Sequence, residues 1–140
     1  MIAGCICASA TAGALVAMGK RLGGALLPFD AMGRLLTGAS AHPIGWSAAA
    51  VVLGVVVHVI AATFWAFVCA RLVLRWRGHL YLAALATTAA WFSASWVVGR
   101  ITGRGLATLL PVGDHIVLAL VFAVSLVMGM RFALFDSRRT

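Results

Sequence analysis

Four side chains that can form hydrogen bonds lie near the middle of four long apolar segments. His58 falls halfway along residues 46–70, while Thr11, Thr88 and Ser125 fall near the middle of three other apolar segments. A neutral imidazole offers one hydrogen-bond donor and one acceptor, and a hydroxyl offers both. We therefore predict a polar cluster of these four side chains, in which His58 faces inward and bonds at least one hydroxyl.

Two interpretations of this polar cluster are open on sequence grounds. Hydrogen bonds between helices that cross a membrane hold the helices together, at about 0.6 kcal/mol each. An ionisable residue within such a helix is also, by default, a candidate for function. His58 is therefore either a packing residue or a functional one.

The histidines do not predict a haem or a hard-ligand metal site. A bis-histidine haem needs a second histidine facing His58 across the bundle. His79 lies toward one end of the predicted bundle, and His42 and His115 lie toward the other. Asp114 beside His115 adds one carboxylate, which is weak evidence for a metal. We predict no bound cofactor.

The three cysteines are predicted near the same end as the two chain termini. Soft thiolates select copper(I) or zinc, but Cys5 and Cys7 point about 200° apart on a helix. Cysteine is also a small apolar residue that is common in buried helices. We predict that Cys5, Cys7 and Cys69 pack in the interior and hold no metal.

Acidic and amide side chains are scarce, which argues against several classes of protein. The sequence contains no Glu, Gln or Asn, and Asp30, Asp114 and Asp136 fall at predicted helix ends or in loops. Ion-coupled transporters usually carry a carboxylate inside the bundle. Neither paired carboxylates for acid–base catalysis nor a nucleotide-binding motif is present. We predict that the protein is not an enzyme.

The composition is that of a membrane protein. Apolar residues make up 64% of the chain and charged residues 10%, whereas soluble domains are about one quarter charged. Residues 46–70 rise ~1.5 Å each as a helix and so cross a hydrocarbon layer of ~30 Å with some tilt. The net charge of +8 comes from residues that flank apolar segments, which favours membrane anchoring over nucleic-acid binding.

These patterns predict an all-α fold and a single membrane domain over residues 1–140. We expect a four-transmembrane-helix bundle in which the helices are antiparallel and follow one another in up-down order. The predicted spans are residues 2–19, 46–70, 80–98 and 115–135. A short interfacial helix is predicted over residues 29–37, because Pro28 suits a first helical turn and Asp30 and Arg34 stand four residues apart. A plain loop is the alternative for that segment.

The first span carries two rows of small residues, which let helix backbones approach closely in a membrane. The rows are Gly4, Ala8 and Ala12, and Ser9, Gly13 and Ala17. We expect this span to be tightly packed within the bundle.

Basic residues end the spans and are predicted to anchor the helices at the membrane surface. The predicted anchors are Lys20, Arg21, Arg71, Arg75, Arg77, Arg100, Arg104 and Arg131. Six basic residues on the side of the termini against five on the other favour cytoplasmic termini. This near balance is also compatible with dual insertion.

The location is predicted to be the bacterial inner membrane. Ten of the eleven basic residues are Arg, and Ala is abundant, which is typical of a GC-rich bacterial genome. The apolar N-terminus has no basic n-region, so we expect no cleaved signal peptide.

The order of features resembles a group of small, uncharacterised bacterial four-helix membrane proteins. The likeness consists of Pro28-Phe29, of His58 six residues before Phe64-Trp65-Ala66, and of a Trp-rich third span. The resemblance implies the four-helix membrane fold and no activity. The chain does not resemble small multidrug transporters or fluoride channels, which depend on a glutamate and on pore asparagines respectively.

We predict a non-enzymatic accessory, assembly or structural subunit that packs with itself or with a larger membrane complex. The alternative is a small channel or transporter for a neutral or weakly polar solute, as a homodimer. The predicted partners are the lipid bilayer and either further copies of the chain or a larger complex, and not nucleic acid.

Overall fold

The computed structural model describes residues 2–38 and 47–136, with side chains as far as residue 133. His42, Trp46, Arg138 and Arg139 lie outside the described residues. The described part of the chain is helical between short turns and contains no strand. The helices are α1 (Ile2–Arg21), α2 (Leu27–Thr37), α3 (Ala48–Arg75), α4 (Leu80–Thr102), α5 (Leu106–Leu109) and α6 (Val112–Asp136).

Four of these helices are long and apolar enough to cross a membrane, namely α1, α3, α4 and α6 through Ala133. The predicted all-α fold with four candidate spans is therefore confirmed. The helices extend beyond the apolar segments, since α3 continues to Arg75 and α4 to Thr102. A helix continues past the hydrocarbon because its backbone hydrogen bonds persist there, and long Arg side chains reach the surface.

The helices α1 and α6 pack closely and run in opposite directions. At one end Ala3 of α1 lies against Gly129 of α6, where a Cβ added to the glycine would lie 2.8 Å from the Ala3 Cα. At the other end Arg21 Nη2 lies 2.6 Å from Asp114 Oδ1. The order of contacts along α1 is thus the reverse of the order along α6.

The helices α4 and α6 are also antiparallel. Tyr81 at the start of α4 accepts a hydrogen bond from Arg131 near the end of α6. Trp96, four turns further along α4, lies 6.2 Å from the His115 ring at the start of α6. The helix α3 contacts both α1 and α4.

Packed apolar side chains fill the two ends of the bundle separately. One buried group surrounds Cys7, Cys69 and Leu126 near the start of α1. The other surrounds Leu15, Phe29 and Leu118 near the end of α1. Phe29 belongs to α2, so the short helix contributes to the core of the bundle.

The helix α2 packs directly on α3, and two glycines make the contact possible. A Cβ on Gly33 would lie 1.9 Å from the Ala50 carbonyl oxygen, and one on Gly54 would lie 1.8 Å from the Phe29 carbonyl oxygen. The backbones therefore touch at both positions. Sequence analysis predicted a helix over residues 29–37, and the observed helix begins two residues earlier, at Leu27.

The polar residues of α2 are buried between the two helices. Arg34 Nε donates to Asp30 Oδ2 at 2.5 Å, and the Ser47 backbone N–H donates to Asp30 Oδ1 at 2.9 Å. Both charged side chains are about one-tenth exposed. A buried carboxylate needs such partners because desolvation disfavours its charge. This ion pair therefore fixes α2 at the start of α3.

The segment between α4 and α6 contains the four-residue helix α5. Gly103 and Gly105 flank Arg104 and have φ values of 61° and 83°. Glycine adopts this left-handed region without steric cost. The two glycines turn the chain sharply from α4 into α5, with Arg104 between them.

We predict that Gly54→Ala lowers the free energy of unfolding by about 2–3 kcal/mol, because the new methyl group would overlap the Phe29 carbonyl. Reversible unfolding in mixed detergent micelles measures the change. The matched control is Gly113→Ala, a helical position where an added Cβ meets nothing within 4 Å. Equal stability of the two variants would contradict the close contact of α2 and α3.

Candidate functional site

The His58 side chain joins α3 to α1. Its Nε2 lies 3.1 Å from the Thr11 Oγ1 and 3.1 Å from the Ala8 carbonyl oxygen. A carbonyl oxygen can only accept, so Nε2 carries the proton. The Thr11 hydroxyl donates to the Cys7 carbonyl at 2.7 Å, which leaves its oxygen free to accept from the same Nε2–H.

The second ring nitrogen of His58 is left as an acceptor. Among the described residues Nδ1 has no hydrogen-bond partner. The imidazole is also held by Phe29 of α2, whose ring meets it edge-on with centroids 5.7 Å apart. Two helices thus fix the ring while one polar atom stays available.

The other two members of the predicted polar cluster do not reach His58. Ser125 Oγ donates to the Phe122 carbonyl at 2.8 Å and lies 3.3 Å from Cys7 Sγ. Thr88 Oγ1 is buried and has no partner among the described residues. Equal depth along four helices does not fix which way a side chain points, and Ser often bonds a carbonyl of its own helix. The structure therefore joins Thr11 alone to His58.

A cavity of about 240 Å³ lies beside His58. Most of its wall is apolar, and it includes the rings of Trp65, Trp91 and Phe122. The polar residues of the wall are Thr11, His58, Ser95 and Arg104. Ligand sites are typically concave and mostly apolar with a few polar groups. This cavity is the candidate functional site.

Two tryptophans of the cavity wall were not predicted as site residues. Trp65 lies seven residues after His58, two helical turns along the same face of α3, and that spacing was visible in the sequence. Trp91 stacks on Phe122 with centroids 4.8 Å apart. Nothing in the sequence around Trp91 indicates that a void lies beside it.

Seven of the eight predicted anchors are exposed, and several lie against aromatic rings. The Arg71 guanidinium lies 4.9 Å from the Phe67 ring centroid, and that of Arg100 lies 5.4 Å from the Trp96 centroid. Arg131 lies over Tyr81 and Arg21 pairs with Asp114. Lys20, Arg75 and Arg77 are exposed. Arg104 differs from the rest, because it is half-buried and lines the cavity.

The cysteines and histidines are dispersed over the described residues. Cys7 and Cys69 are buried, whereas Cys5 is exposed. His115 is buried with its Nδ1 3.2 Å from the Pro111 carbonyl oxygen. Within residues 2–38 and 47–136 no group of three His, Cys, Asp or Glu side chains is arranged to hold a metal ion.

No protein-family profile, curated protein or solved structure matches the chain. The resemblance drawn from the sequence therefore stays a prediction.

We predict a coupling free energy of about 0.6 kcal/mol between Thr11 and His58 in a double-mutant cycle of Thr11→Val and His58→Leu. The coupling is modest because Ala8 still accepts from Nε2–H when the hydroxyl is removed. Unfolding of the single and double variants in mixed micelles measures it.

The control cycle combines His58→Leu with Thr102→Val. The Thr102 hydroxyl donates to the Val98 carbonyl of its own helix at 2.7 Å, so additive effects are expected. Additivity in the Thr11 cycle as well would contradict the hydrogen bond between α1 and α3.

Proposed function

We propose that this chain crosses the bacterial inner membrane four times in antiparallel up-down order and binds a small, largely apolar molecule inside the bundle. The cavity beside His58 is the observation that carries this proposal. Such a protein is a carrier or channel component for a molecule that enters from the membrane or at its surface, and not an enzyme.

Lipid contact is supported by the outward faces of the long helices. On α3 the side chains of Ile60, Phe64 and Phe67 are each more than half exposed. Apolar patches of this kind are rare on soluble monomers and mark membrane or protein contact. Exposed large apolar side chains also occur on α4 and α6, and such faces on three helices fit a hydrocarbon environment.

An antiparallel arrangement across the membrane is supported by the reversed order of contacts between neighbouring helices. It would place the start of α1 and the end of α6 on one side, together with Arg71 and Arg75 at the end of α3. The basic residues of that side support cytoplasmic termini, and the Arg-rich composition supports a bacterial source.

The mostly apolar wall of the cavity supports binding of a molecule that is itself largely apolar. An engineered cavity of ~150 Å³ with apolar walls binds benzene, and this one is larger, at about 240 Å³. His58 lines that space and its Nδ1 is an acceptor, so we propose that a hydroxyl of a ligand donates to it. Asp30 and Asp114 are already paired with arginines, which disfavours coupling to a cation at this site.

We predict that 11-bromoundecanol quenches the fluorescence of Trp65 and Trp91 saturably, because bromine in the cavity would contact both rings. The protein is measured in nanodiscs of phosphatidylcholine. Ala94→Leu adds bulk to the cavity wall and is expected to weaken binding at least tenfold.

The matched control is Ala90→Leu, one turn earlier on α4 and equally exposed, at a position outside the cavity wall. It should bind as the wild type does. Quenching that rises linearly with the probe concentration would contradict binding in the cavity. So would an equal loss of affinity in Ala94→Leu and Ala90→Leu.

A second candidate is the packing subunit, and the outer face of α1 favours it. Cys5, Ser9, Gly13 and Ala17 are exposed and form one face at four-residue spacing. Sequence analysis expected the last three to pack within the bundle, whereas the row with Gly4 and Ala8 is the buried one. No large apolar side chain of α1 is exposed after Ile2.

This outer face differs from that of α3, where large side chains meet the lipid. Small residues at this spacing let two helices approach closely in a membrane. We propose that a second copy of the chain packs on this face of α1, since a two-fold axis parallel to α1 would pair the face with itself.

We predict that mild oxidation in membranes gives a disulfide-linked dimer through Cys5, because a shared α1 face brings the two thiols together while Cys7 and Cys69 are buried. Gly13→Leu should abolish the dimer, and the lipid-facing change Val56→Leu should leave it intact. Gel electrophoresis without reductant measures the product. A dimer that persists in Gly13→Leu, or none in the wild type, would contradict this candidate.

A further inference from the structure

Arg104 is the one side chain with a full formal charge among the described residues of the cavity wall. It is half-buried, whereas the other predicted anchors are exposed. The position of a Cβ on Gly38 would be 3.6 Å from the Arg104 Nη1. The guanidinium therefore reaches from the loop after α4 to the end of α2, across the same end of the bundle.

The Arg104 guanidinium has no acidic partner among the described side chains. Asp30 pairs with Arg34, and Asp114 pairs with Arg21. The one hydrogen bond of Arg104 involves its backbone N–H, which donates to the Thr102 hydroxyl at 3.3 Å. A guanidinium carries five donors that suit a carboxylate or a phosphate. Its charge beside an apolar space therefore favours an anionic group as partner.

The cavity is elongated. Its wall includes Val57 to Trp65 on α3 and Trp91 to Gly99 on α4, and each stretch rises about 12 Å. An elongated space with mostly apolar walls suits an extended alkyl chain that lies along the two helices.

We propose that the cavity binds a single-chain amphiphile whose anionic head is held by Arg104. The chain runs from Arg104 past His58 toward Trp65 and Trp91. The head lies at the end of α4, where basic residues flank the apolar segment and water is near. This inference rests on the proposed function and names the class of ligand that the cavity takes.

The head could be the carboxylate of a fatty acid or the phosphate of a single-chain lipid, since a guanidinium binds both. Arg104 also lies near the C-terminus of α2, where a positive charge is favourable without any ligand. Comparison with Arg100 separates binding of the head from a general effect of charge. Arg100 is exposed at the end of the same helix and lies outside the wall of this cavity.

The experiment uses the full chain in phosphatidylcholine nanodiscs at alkaline pH, with three probes that share one bromoalkyl chain. They are 11-bromoundecanol, 11-bromoundecanoate and 11-bromoundecyl phosphate, and quenching of tryptophan fluorescence reports binding. For the wild type we expect one or both anions to bind about tenfold more tightly than the alcohol. The tighter anion identifies the head as carboxylate or phosphate.

Arg104→Gln should reduce the affinity for the anion to about the affinity for the alcohol, because the anionic head then has no guanidinium to bind. Arg104→Lys, which keeps the charge and loses the planar fork, should give an intermediate affinity. Arg100→Gln should behave as the wild type. Retained binding of the alcohol shows that each variant is folded.

Equal affinity for all three probes in the wild type would overturn the proposal for Arg104 while leaving the cavity as a binding site. The same would follow if Arg100→Gln weakened anion binding as much as Arg104→Gln. If none of the probes, including the alcohol, quenched saturably, the proposed function itself would fail.

Discussion

In the hydrocarbon of a membrane no water bonds a polar atom, so each buried donor must find its partner in the protein. His58 meets this constraint by donating from Nε2 to the Ala8 carbonyl and the Thr11 hydroxyl of α1. Asp30 and Arg34 meet it by pairing with each other against α3. His58 Nδ1 and the Arg104 guanidinium stay without a described partner, and both residues border the cavity. Two unpaired polar groups thus belong to residues of the cavity wall, whereas the buried and unpaired Thr88 Oγ1, Trp96 Nε1 and His115 Nε2 lie elsewhere in the described part of the chain.

Side-chain size explains where the helices touch and where a space remains. Gly33 and Gly54 let α2 meet the backbone of α3, and Gly129 does the same for α6 and Ala3 of α1. Trp65 and Trp91 face the centre instead, and their rings border the void. Close backbone contact on one side of α3 and bulky rings on the other therefore produce a bundle that is tight around α1 and open beside α4.

Part of this structure could be predicted from the sequence. The four long helices follow from apolar segments of membrane length, because hydropathy and rise per residue determine both. The contact of His58 with Thr11 could be anticipated from their matching depths. Ser125 and Thr88 show the limit of that reasoning, since depth does not determine the direction of a side chain on a helix that turns 100° per residue.

Other features could not be predicted because they depend on three-dimensional shape. The apolar side chains of α2 are compatible with packing on a lipid surface or on another helix, and the contacts of Gly33 and Gly54 show that α2 packs on α3. The cavity is a void between several helices, and no local pattern encodes a void. From the sequence, Arg104 is indistinguishable from the other basic residues near the ends of the spans. In the structure it lies between Gly103 and Gly105, both with positive φ, and lines the cavity.

The central claim is that His58 faces α1 inside a four-span bundle in lipid, with Nε2 bonded to α1 and Nδ1 left as an acceptor. Solid-state NMR of the ¹⁵N,¹³C-labelled chain in phosphatidylcholine bilayers tests it most directly. We expect a proton on Nε2 of His58, with through-space correlations to the Ala8 carbonyl carbon and the Thr11 side chain. Correlations of the imidazole protons with lipid acyl chains, together with none to Ala8, would contradict the account.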